Sequence, residues 1–286
     1  MKLKTFIASD FHIDFWDSDL SDKETVFKLL KIKETDSFDL IILAGDIGQC
    51  HNSTAKGKYI SFIRHMCSFG CPVILIKGNH ENYQNQLTDS KFFCKSIQQE
   101  LFSNLYFLEK EYIDLFIKDK PVRIYGATLW TNFNNAEPMA MLEAKLKMND
   151  FGKMILKPGY RKFLPEDAFV EFDQSWQRLI SASQGLKKDQ AFIVVTHHAP
   201  LQKFVDNFRK LRNWKPEIEL LDYSYFTDCS KMFKDLQRKP NYWISGHIHS
   251  PIEFEEQGIK FISNPYGYEE KYEKRLYENP IKELEV

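Results

Sequence analysis

The chain has 286 residues, a net charge of −1 and a pI near 6.7. This length suffices for one large α/β domain or two small ones. Its composition, 43% hydrophobic and 28% charged, is ordinary for a soluble globular protein. The balanced charge excludes a global attraction to nucleic acid or to an anionic membrane, although it does not exclude a local basic patch.

The cysteines and the apolar runs predict the compartment. The N-terminal apolar run is too short for a signal peptide and continues into Asp10 without a cleavage site. No apolar window approaches the roughly 20 residues that a membrane helix needs. The five cysteines are odd in number and scattered, which is typical of reduced thiols. We therefore expect a cytoplasmic protein without a membrane segment.

Apolar runs predict strands, and 3.6-residue apolar patterns predict helices. Strands are expected at 3–9, 39–44, 72–76, 105–108, 112–117, 122–126, 191–195, 242–245, 252–255 and 259–262. Helices are expected at 22–33, 58–69, 90–100 and 229–236, and the charged tail after residue 268 is expected on the surface. The order predicts a mixed sheet, or two sheets face to face, with helices on both outer sides. Because the sequence contains no recognisable linker, residues 1–286 are interpreted as one domain, with a mostly helical insertion at about 130–185.

Polar residues follow five of the predicted strands, at the sheet edge where ligands bind in α/β folds. Six of the eight histidines are among them. The residues are Asp10 and His12; Asp46; Asn79, His80 and Glu81; His197 and His198; and His247 and His249. Carboxylates, imidazoles and one amide without a thiolate suit two first-row divalent metals such as Mn, Fe or Zn.

The spacing of these residues suggests how they could share two ions. A carboxylate can bridge metals that lie ~3.5–4 Å apart, and Asp46 is the candidate. Asp10 and His12 point the same way only if the backbone stays extended, and the same holds for His247 and His249. Two divalent ions, two aspartates and one bridging hydroxide leave a net charge of about +1, which favours an anionic substrate such as a phosphate ester.

These motifs resemble the calcineurin-like metallophosphoesterase family. The resemblance rests, in family order, on Asp10-Phe11-His12, Gly45-Asp46, Gly78-Asn79-His80-Glu81, His197 and Gly246-His247-Ile248-His249. It extends over residues 3 to about 268. It implies a four-layer α/β/β/α sandwich of two mixed sheets flanked by helices, and a metal-dependent phosphoesterase activity.

The resemblance also implies roles for individual residues. Asp10, His12 and His249 would bind one metal, Asn79, His197 and His247 the other, and Asp46 would bridge them. The candidate metals are Mn, Fe, Zn and Co, as divalent or trivalent ions. Hydroxide bridging the metals would attack phosphorus. His80 would stabilise the phosphoryl oxygens or protonate the leaving group. His198 would lie behind the ligands or in the pocket wall.

The sequence leaves several other residues open. Glu81 could hold His80 or face solvent, and Tyr83 and Trp130 could stack on a substrate or belong to the core. The segment 203–215 has five basic residues. Its pattern is interpreted either as a solvated amphipathic helix or as part of a basic lid at 201–225. Asn149-Asp150 and Arg161 could also line the cleft.

The expected substrate is a small phosphomonoester or phosphodiester. The net charge argues against a long nucleic acid, for which many phosphate contacts are needed. A nuclease is the alternative enzyme, and a non-catalytic metal-binding scaffold of the same fold is the alternative of another class. The oligomeric state cannot be inferred from the sequence.

Overall fold

The computed structural model describes residues 1–268 and 275–286. Its strands, numbered in chain order, are Lys2–Ala8 (β1), Leu40–Ala44 (β2), Val73–Ile76 (β3), Asn85–Gln86 (β4), Leu105–Phe107 (β5), Glu111–Ile117 (β6), Lys120–Ala127 (β7), Ile155–Lys157 (β8), Arg161–Lys162 (β9), Ala191–Thr196 (β10), Tyr242–Ser245 (β11), Ile252–Glu256 (β12), Ile259–Ser263 (β13) and Ile281–Glu285 (β14). The α-helices are Lys23–Leu29 (α1), Ser53–Cys67 (α2), Leu87–Glu100 (α3), Phe133–Ala136 (α4), Pro138–Lys147 (α5), Pro165–Ala182 (α6) and Lys203–Leu211 (α7). Shorter helical turns are Ile13–Phe15, His80–Asn82, Leu220–Ser224, Phe233–Asp235 and the kinked Asp150–Met154.

Two mixed sheets form the centre of the fold. The first has the strand order β14-β1-β2-β3-β5, and the second has the order β12-β13-β11-β10-β7-β6. The inner neighbours run parallel, whereas the edge strands β14, β12 and β6 pair antiparallel. Every residue of β2, β3 and β10 is buried, as expected for parallel strands that are covered on both faces.

The two sheets pack face to face, and helices cover each outer side. Ile42 of β2 and Val195 of β10 belong to one buried cluster between the sheets. Their sequence neighbours Leu43 and Val194 point the other way, into clusters with α1–α3 and with α4–α7 respectively. The predicted four-layer α/β/β/α sandwich is therefore confirmed.

The segment at about 130–185 contains α4, α5, α6, the turn Asp150–Met154 and the short strands β8 and β9. β8 pairs with β9 and also with β4, which follows the turn His80–Asn82 closely. This segment is thus hydrogen-bonded to the chain that follows β3, and the pairing brings Asp150 toward the polar strand ends.

Two sequence expectations about regular structure fail. The helix predicted at 229–236 is wrong: Phe233 N donates to Cys229 O at 3.1 Å in a single turn, and only Phe233–Asp235 is helical after it. So short a segment gains little helical stability by itself. Instead, the Phe233 ring packs 5.7 Å from that of Trp243, and Cys229 N donates to Pro200 O at 2.9 Å.

The charged C-terminal segment is part of the first sheet rather than a simple surface tail. Residues 269–274 lie outside the described residues, but 281–285 form β14 and pair antiparallel with β1. Leu284 is fully buried, whereas its neighbours Glu283 and Glu285 are exposed. One buried leucine among charged residues is too weak a pattern to predict a strand.

Across residues 1–268 and 275–286, no helix combines the length and the apolar composition that a bilayer span requires.

Candidate metal centre

The polar residues that follow the strands meet at one edge of the two facing sheets. Asp10, Asp46 and Asn79 follow β1, β2 and β3 of the first sheet, and His197 and His247 follow β10 and β11 of the second. Parallel pairing aligns these strand ends within each sheet. Because the sheets face each other, both sets of side chains meet at one edge. This is the edge, at the carboxyl ends of the strands, where ligands bind in α/β folds.

Asp46 lies at the centre of this cluster. Its Oδ2 atom is 3.3 Å from Nε2 of His197 and 3.9 Å from Nε2 of both His12 and His80. Asp46 belongs to two groups whose ligand atoms lie within 4.8 Å of one another, one with His12 and His80 and one with His197 and His247. A carboxylate in such a shared position can contact two ions.

A third group of potential ligands is formed by Asp10, His12 and His249, again within 4.8 Å. The Oδ1 atom of Asp10 is 3.4 Å from Nε2 of His249, and the Nε2 atoms of His12 and His249 are 3.2 Å apart. Asp10 also accepts a hydrogen bond from the backbone N of His247 at 3.0 Å. Asp10 therefore fixes the loop after β11 as well as facing the cluster.

The backbone at these residues is left-handed rather than extended. The φ angles are +55° at Asp10, +46° at His12, +53° at Asp46 and +67° at His247. The condition of extended backbone, under which the alternating residues would point the same way, is therefore not met at Asp10, His12 and His247. Such conformations cost roughly 1–3 kcal/mol each and concentrate at functional sites. Here hydrogen bonds between the loops hold them, including His12 N to Asp46 O at 3.1 Å.

Gly78 allows the loop after β3 to approach its neighbours. A Cβ at this position would lie 2.6 Å from Nε2 of His197 and would also clash with the carboxylate of Asp46. Without a side chain there, the Asn79–His80 loop closes on Asp46, and His80 N donates to Asp46 Oδ1 at 2.8 Å. Glycine is needed here for close approach.

Glu81 lies beneath the cluster and braces the loops that form it. Its carboxylate accepts hydrogen bonds from the backbone N atoms of Ile47 and Gly78, both at 2.8 Å, and of Asp46 at 3.2 Å. It is fully buried, so it does not face solvent, and these bonds do not involve the His80 imidazole. Burial and the nearby charge of Asp46 raise the pKa of Glu81 to about 8.

Hydrogen bonds orient two residues so that their acceptor atoms face each other. His197 Nδ1 lies 2.9 Å from the carbonyl O of Ala44, which can only accept, so Nδ1 carries the proton. Asn79 Nδ2 donates to Asp150 Oδ1 at 2.8 Å, which turns Asn79 Oδ1 toward His197 Nε2 at 3.0 Å. With a neutral imidazole, two lone pairs converge beside the Asp46 carboxylate. A proton or a metal cation between them makes this contact favourable.

The protonation preferences of the histidines also fit a bound cation. Burial lowers the pKa values of His12 and His247 well below their usual range, so both are neutral and able to ligate. The buried His247 Nε2 has no hydrogen-bond partner among the described residues. Burial opposes protonation of His197, but the carboxylates of Asp46 and Asp10 outweigh it and raise the pKa to about 9. A bound metal would replace that proton.

A family model described as calcineurin-like phosphoesterase matches residues 3–251. The match spans most of the chain and includes every strand-end motif. The chain belongs to the calcineurin-like phosphoesterase family. It is a metal-dependent phosphoesterase, and its His and Asp clusters could hold the metal.

Individual proteins match this chain at low sequence identity. An uncharacterized protein of Acanthamoeba polyphaga mimivirus is 26% identical over 274 residues, which covers 91% of this chain and 90% of the viral protein. The structure of a phosphopantetheinyl hydrolase from Mycobacterium tuberculosis matches with a TM-score of 0.64 at 14% identity, covering 98% of this chain and 95% of the other. A Staphylococcus aureus protein assigned as a 5′-nucleotidase matches with a TM-score of 0.52 at 13% identity, covering 99% of this chain but 54% of the other. At these identities, the structural matches show the shared fold.

His198 lies behind the cluster of this phosphoesterase. Its ring is 4.1 Å from the His247 ring, and its Nδ1 donates to Thr128 O at 3.2 Å. Burial and the neighbouring His197 lower the pKa of His198 to about 3. Trp130 is 3% exposed and packs against His198 from the core, 5.1 Å between ring centres. The structure thus gives Trp130 a packing contact and no place in the cavity lining.

Asp150, Tyr83 and Tyr268 surround the cluster and contact its residues. Asp150 is 2% exposed and also lies 3.3 Å from the Tyr83 hydroxyl, which donates to it. The Tyr83 ring stacks on His80 at 4.2 Å, the Tyr268 ring stacks on His12 at 4.2 Å, and the Tyr268 hydroxyl is 3.2 Å from His80 Nε2. Sequence reasoning left Asp150 undecided and missed Tyr268, whose only signal is an aromatic residue in a turn-rich stretch after a hairpin.

The cluster opens into a cavity of ≈ 370 Å³. The segment 203–215 reaches this cavity with Val205, Phe208 and Trp214, and none of its five basic residues lines it. Arg209 is 4% exposed and bonded to Asp222 instead. The segment therefore lies where a lid would lie, but it presents apolar rather than basic side chains. Arg161 is exposed and pairs with Asp167.

Proposed function

We propose that this phosphoesterase uses two metal ions to hydrolyse a P–O bond of a small phosphomonoester or phosphodiester. The observation that carries the proposal is the position of Asp46, whose Oδ2 atom lies 3.9 Å from Nε2 of His12 and 3.3 Å from Nε2 of His197, one proposed ligand of each ion. When bound, two divalent cations (Mn, Fe, Zn or Co) polarise the phosphoryl group and lower the pKa of a coordinated water. The proposed ligands are Asp10, His12, Asp46 and His249 for one ion and Asp46, Asn79, His197 and His247 for the other.

His80 is proposed as the acid that protonates the leaving group or stabilises the phosphoryl oxygens. Its Nε2 atom lies 3.9 Å from Asp46 Oδ2 and lines the cavity with the ligands. The ring is held between the stacked Tyr83 ring and the Tyr268 hydroxyl. An imidazole fixed in this way can donate a proton to a departing alkoxide.

A small substrate is supported by the cavity and its lining. Its volume of ≈ 370 Å³ lies within the range of small-molecule sites, about 300–1,000 Å³. The basic residues of 203–215 do not line it, which disfavours the nuclease alternative, since a nucleic acid requires many phosphate contacts. His80 lies beside the proposed ligands Asp46 and His12, which supports catalysis and disfavours a non-catalytic scaffold.

A cytoplasmic location is proposed on the cysteines. All five are buried free thiols. Free thiols persist in reducing compartments, so this chemistry supports the cytoplasm.

The test is a screen of metal-loaded protein on p-nitrophenyl phosphate, bis-p-nitrophenyl phosphate and nucleotides with Mn, Fe, Zn and Co. We expect metal-dependent release of product from at least one ester class. Asp46→Asn should lose this activity, whereas Asp173→Asn, at an exposed position on α6, should retain it. The proposal fails if the wild type binds two metals and hydrolyses none of these esters.

A further inference from the structure

Part of the cavity lining is apolar, and the proposed chemistry does not use it. Met148 directly follows α5, Val205 and Phe208 lie on α7, and Trp214 lies in the turn after α7. We call these four residues the apolar wall. The wall and the metal-ligand cluster line the same cavity, so a single ligand can contact both.

Trp214 is the most exposed member of the wall. Its side chain is 58% exposed, and its ring lies 5.4 Å from that of Phe208 at an angle of 87°. Val205, by contrast, is buried in the cluster beneath the second sheet. Two neighbouring aromatic rings at the side of a concave site provide a large apolar contact area for a ligand.

The turn that carries Trp214 is held in place by the buried Arg209. Arg209 Nη1 donates to Lys215 O at 2.9 Å, and Arg209 Nε donates to Asp222 Oδ2 at 3.1 Å. Trp214 N donates in turn to Arg209 O at 2.9 Å, across the left-handed Asn213. The turn that carries the Trp214 ring is thus held by hydrogen bonds at Trp214 and at Lys215. The sequence analysis counts Arg209 among the five basic residues of 203–215. In the structure, its hydrogen bonds position the turn that carries Trp214.

Charged residues beside the wall are already paired within the protein. Asp222 lines the cavity and is bonded to Arg209, and Lys147 lines it and pairs with Glu143. Lys147 is the only lysine or arginine among the described lining residues. A second phosphate on a ligand would therefore meet a single lysine and no arginine among the described lining residues.

We propose that the apolar wall binds an apolar alkyl or aryl group of the substrate, so that esters of apolar alcohols are preferred over sugar phosphates and polyphosphates. This inference rests on the proposed phosphoesterase function and adds the class of alcohol. Each methylene buried against the wall should tighten binding by up to about fourfold.

The test compares ligands that differ only in the apolar group. Methyl-, butyl-, hexyl- and 2-phenylethylphosphonate, whose C–P bond the reaction does not cleave, are titrated calorimetrically into the manganese-loaded protein. The matching alkyl phosphates are assayed for phosphate release, because their alcohols differ little in acidity. We expect the hexyl-to-methyl ratio to be at least about tenfold in affinity and in kcat/KM.

Variants of the wall connect this ratio to named residues. Trp214→Ala should reduce the ratio at least about threefold, as should Phe208→Ala. Because Trp214 is exposed, its variant keeps the test valid even if Phe208→Ala unfolds. Phe116→Ala, at a 74% exposed aromatic residue on β6, is the matched control and should keep the wild-type ratio.

The outcomes separate the two proposals. If the hexyl-to-methyl ratio is near one in wild type, or is unchanged in Trp214→Ala, the proposal that the apolar wall binds the substrate is wrong. Hydrolysis of no ester with any metal overturns the proposed function, and in that case phosphonate binding still decides whether the wall selects apolar groups.

Discussion

The side-chain amide of Asn79 donates a 2.8 Å hydrogen bond to the carboxylate of Asp150, 71 residues away in the chain. Both side chains are buried. The bond turns the amide oxygen of Asn79 toward His197 and so toward the proposed metal site. The segment 130–185, which carries Asp150, therefore helps to orient a proposed ligand at a strand end of the first sheet.

Replacing Asp150 should weaken metal binding. In Asp150→Ala the Asn79 amide loses the acceptor that orients it, and loss of such an outer partner typically lowers metal affinity about 10–100-fold. Competition with a chelator of known affinity measures the change. Asp173→Ala on the exposed face of α6 is the control. Equal metal affinity in Asp150→Ala and wild type would show that Asn79 needs no such support.

Replacing Glu81 should destabilise the fold even without metal. Glu81→Ala leaves the buried backbone N atoms of Asp46, Ile47 and Gly78 without their acceptor, and each unsatisfied buried group costs about 1–3 kcal/mol. Urea unfolding in the presence of a chelator should show a loss of at least about 2 kcal/mol. Glu100→Ala, at an exposed position that ends α3, should unfold as wild type does. A stable Glu81→Ala protein would contradict the bracing role.

The effect of replacing His80 should depend on the leaving group. A general acid contributes about 10²–10⁴-fold when the leaving alkoxide needs a proton. His80→Asn should therefore lose far more kcat on an alkyl phosphate than on p-nitrophenyl phosphate, whose leaving group departs without protonation. His51→Ala, outside the cluster, serves as the control. Equal losses on both esters would assign His80 a role other than proton donation.

The C-terminal strand should contribute measurably to stability. Leu284 is fully buried where β14 meets β1, and truncation of a buried leucine to alanine costs about 2–5 kcal/mol. Leu284→Ala should accordingly lower the urea midpoint, whereas the exposed neighbour Glu283→Ala should leave it nearly unchanged. The surface tail expected from sequence would instead tolerate both changes.

Local sequence patterns were sufficient for the layered sheets and for the set of strand-end residues, whereas the four-layer sandwich was implied by the family resemblance. Asp46 and Asn79 each follow a short buried run of β-branched and leucine residues, so their shared edge follows from the parallel sheet itself. The left-handed backbone at Asp10 and His12 could not be predicted, because it depends on hydrogen bonds to the loop after β2.

The features that the sequence did not reveal depend on contacts between distant segments. Asp150 lies in an irregular segment, and Tyr268 contacts His12 and His80 from a distant part of the chain. The basic residues of 203–215 suggested an anion-binding lid, but Arg209 is buried against Asp222 and the apolar side of α7 faces the cavity. In each case the decisive interaction is tertiary and has no local signature.

The most direct test of two-metal hydrolysis is the rate of ester cleavage by chelator-treated protein during titration with manganese. The rate should be absent without metal, rise with added ion and saturate at two equivalents per chain, and Asp46→Asn should show no such rise. Full activity in excess chelator, or saturation after a single equivalent, would contradict the shared role proposed for Asp46.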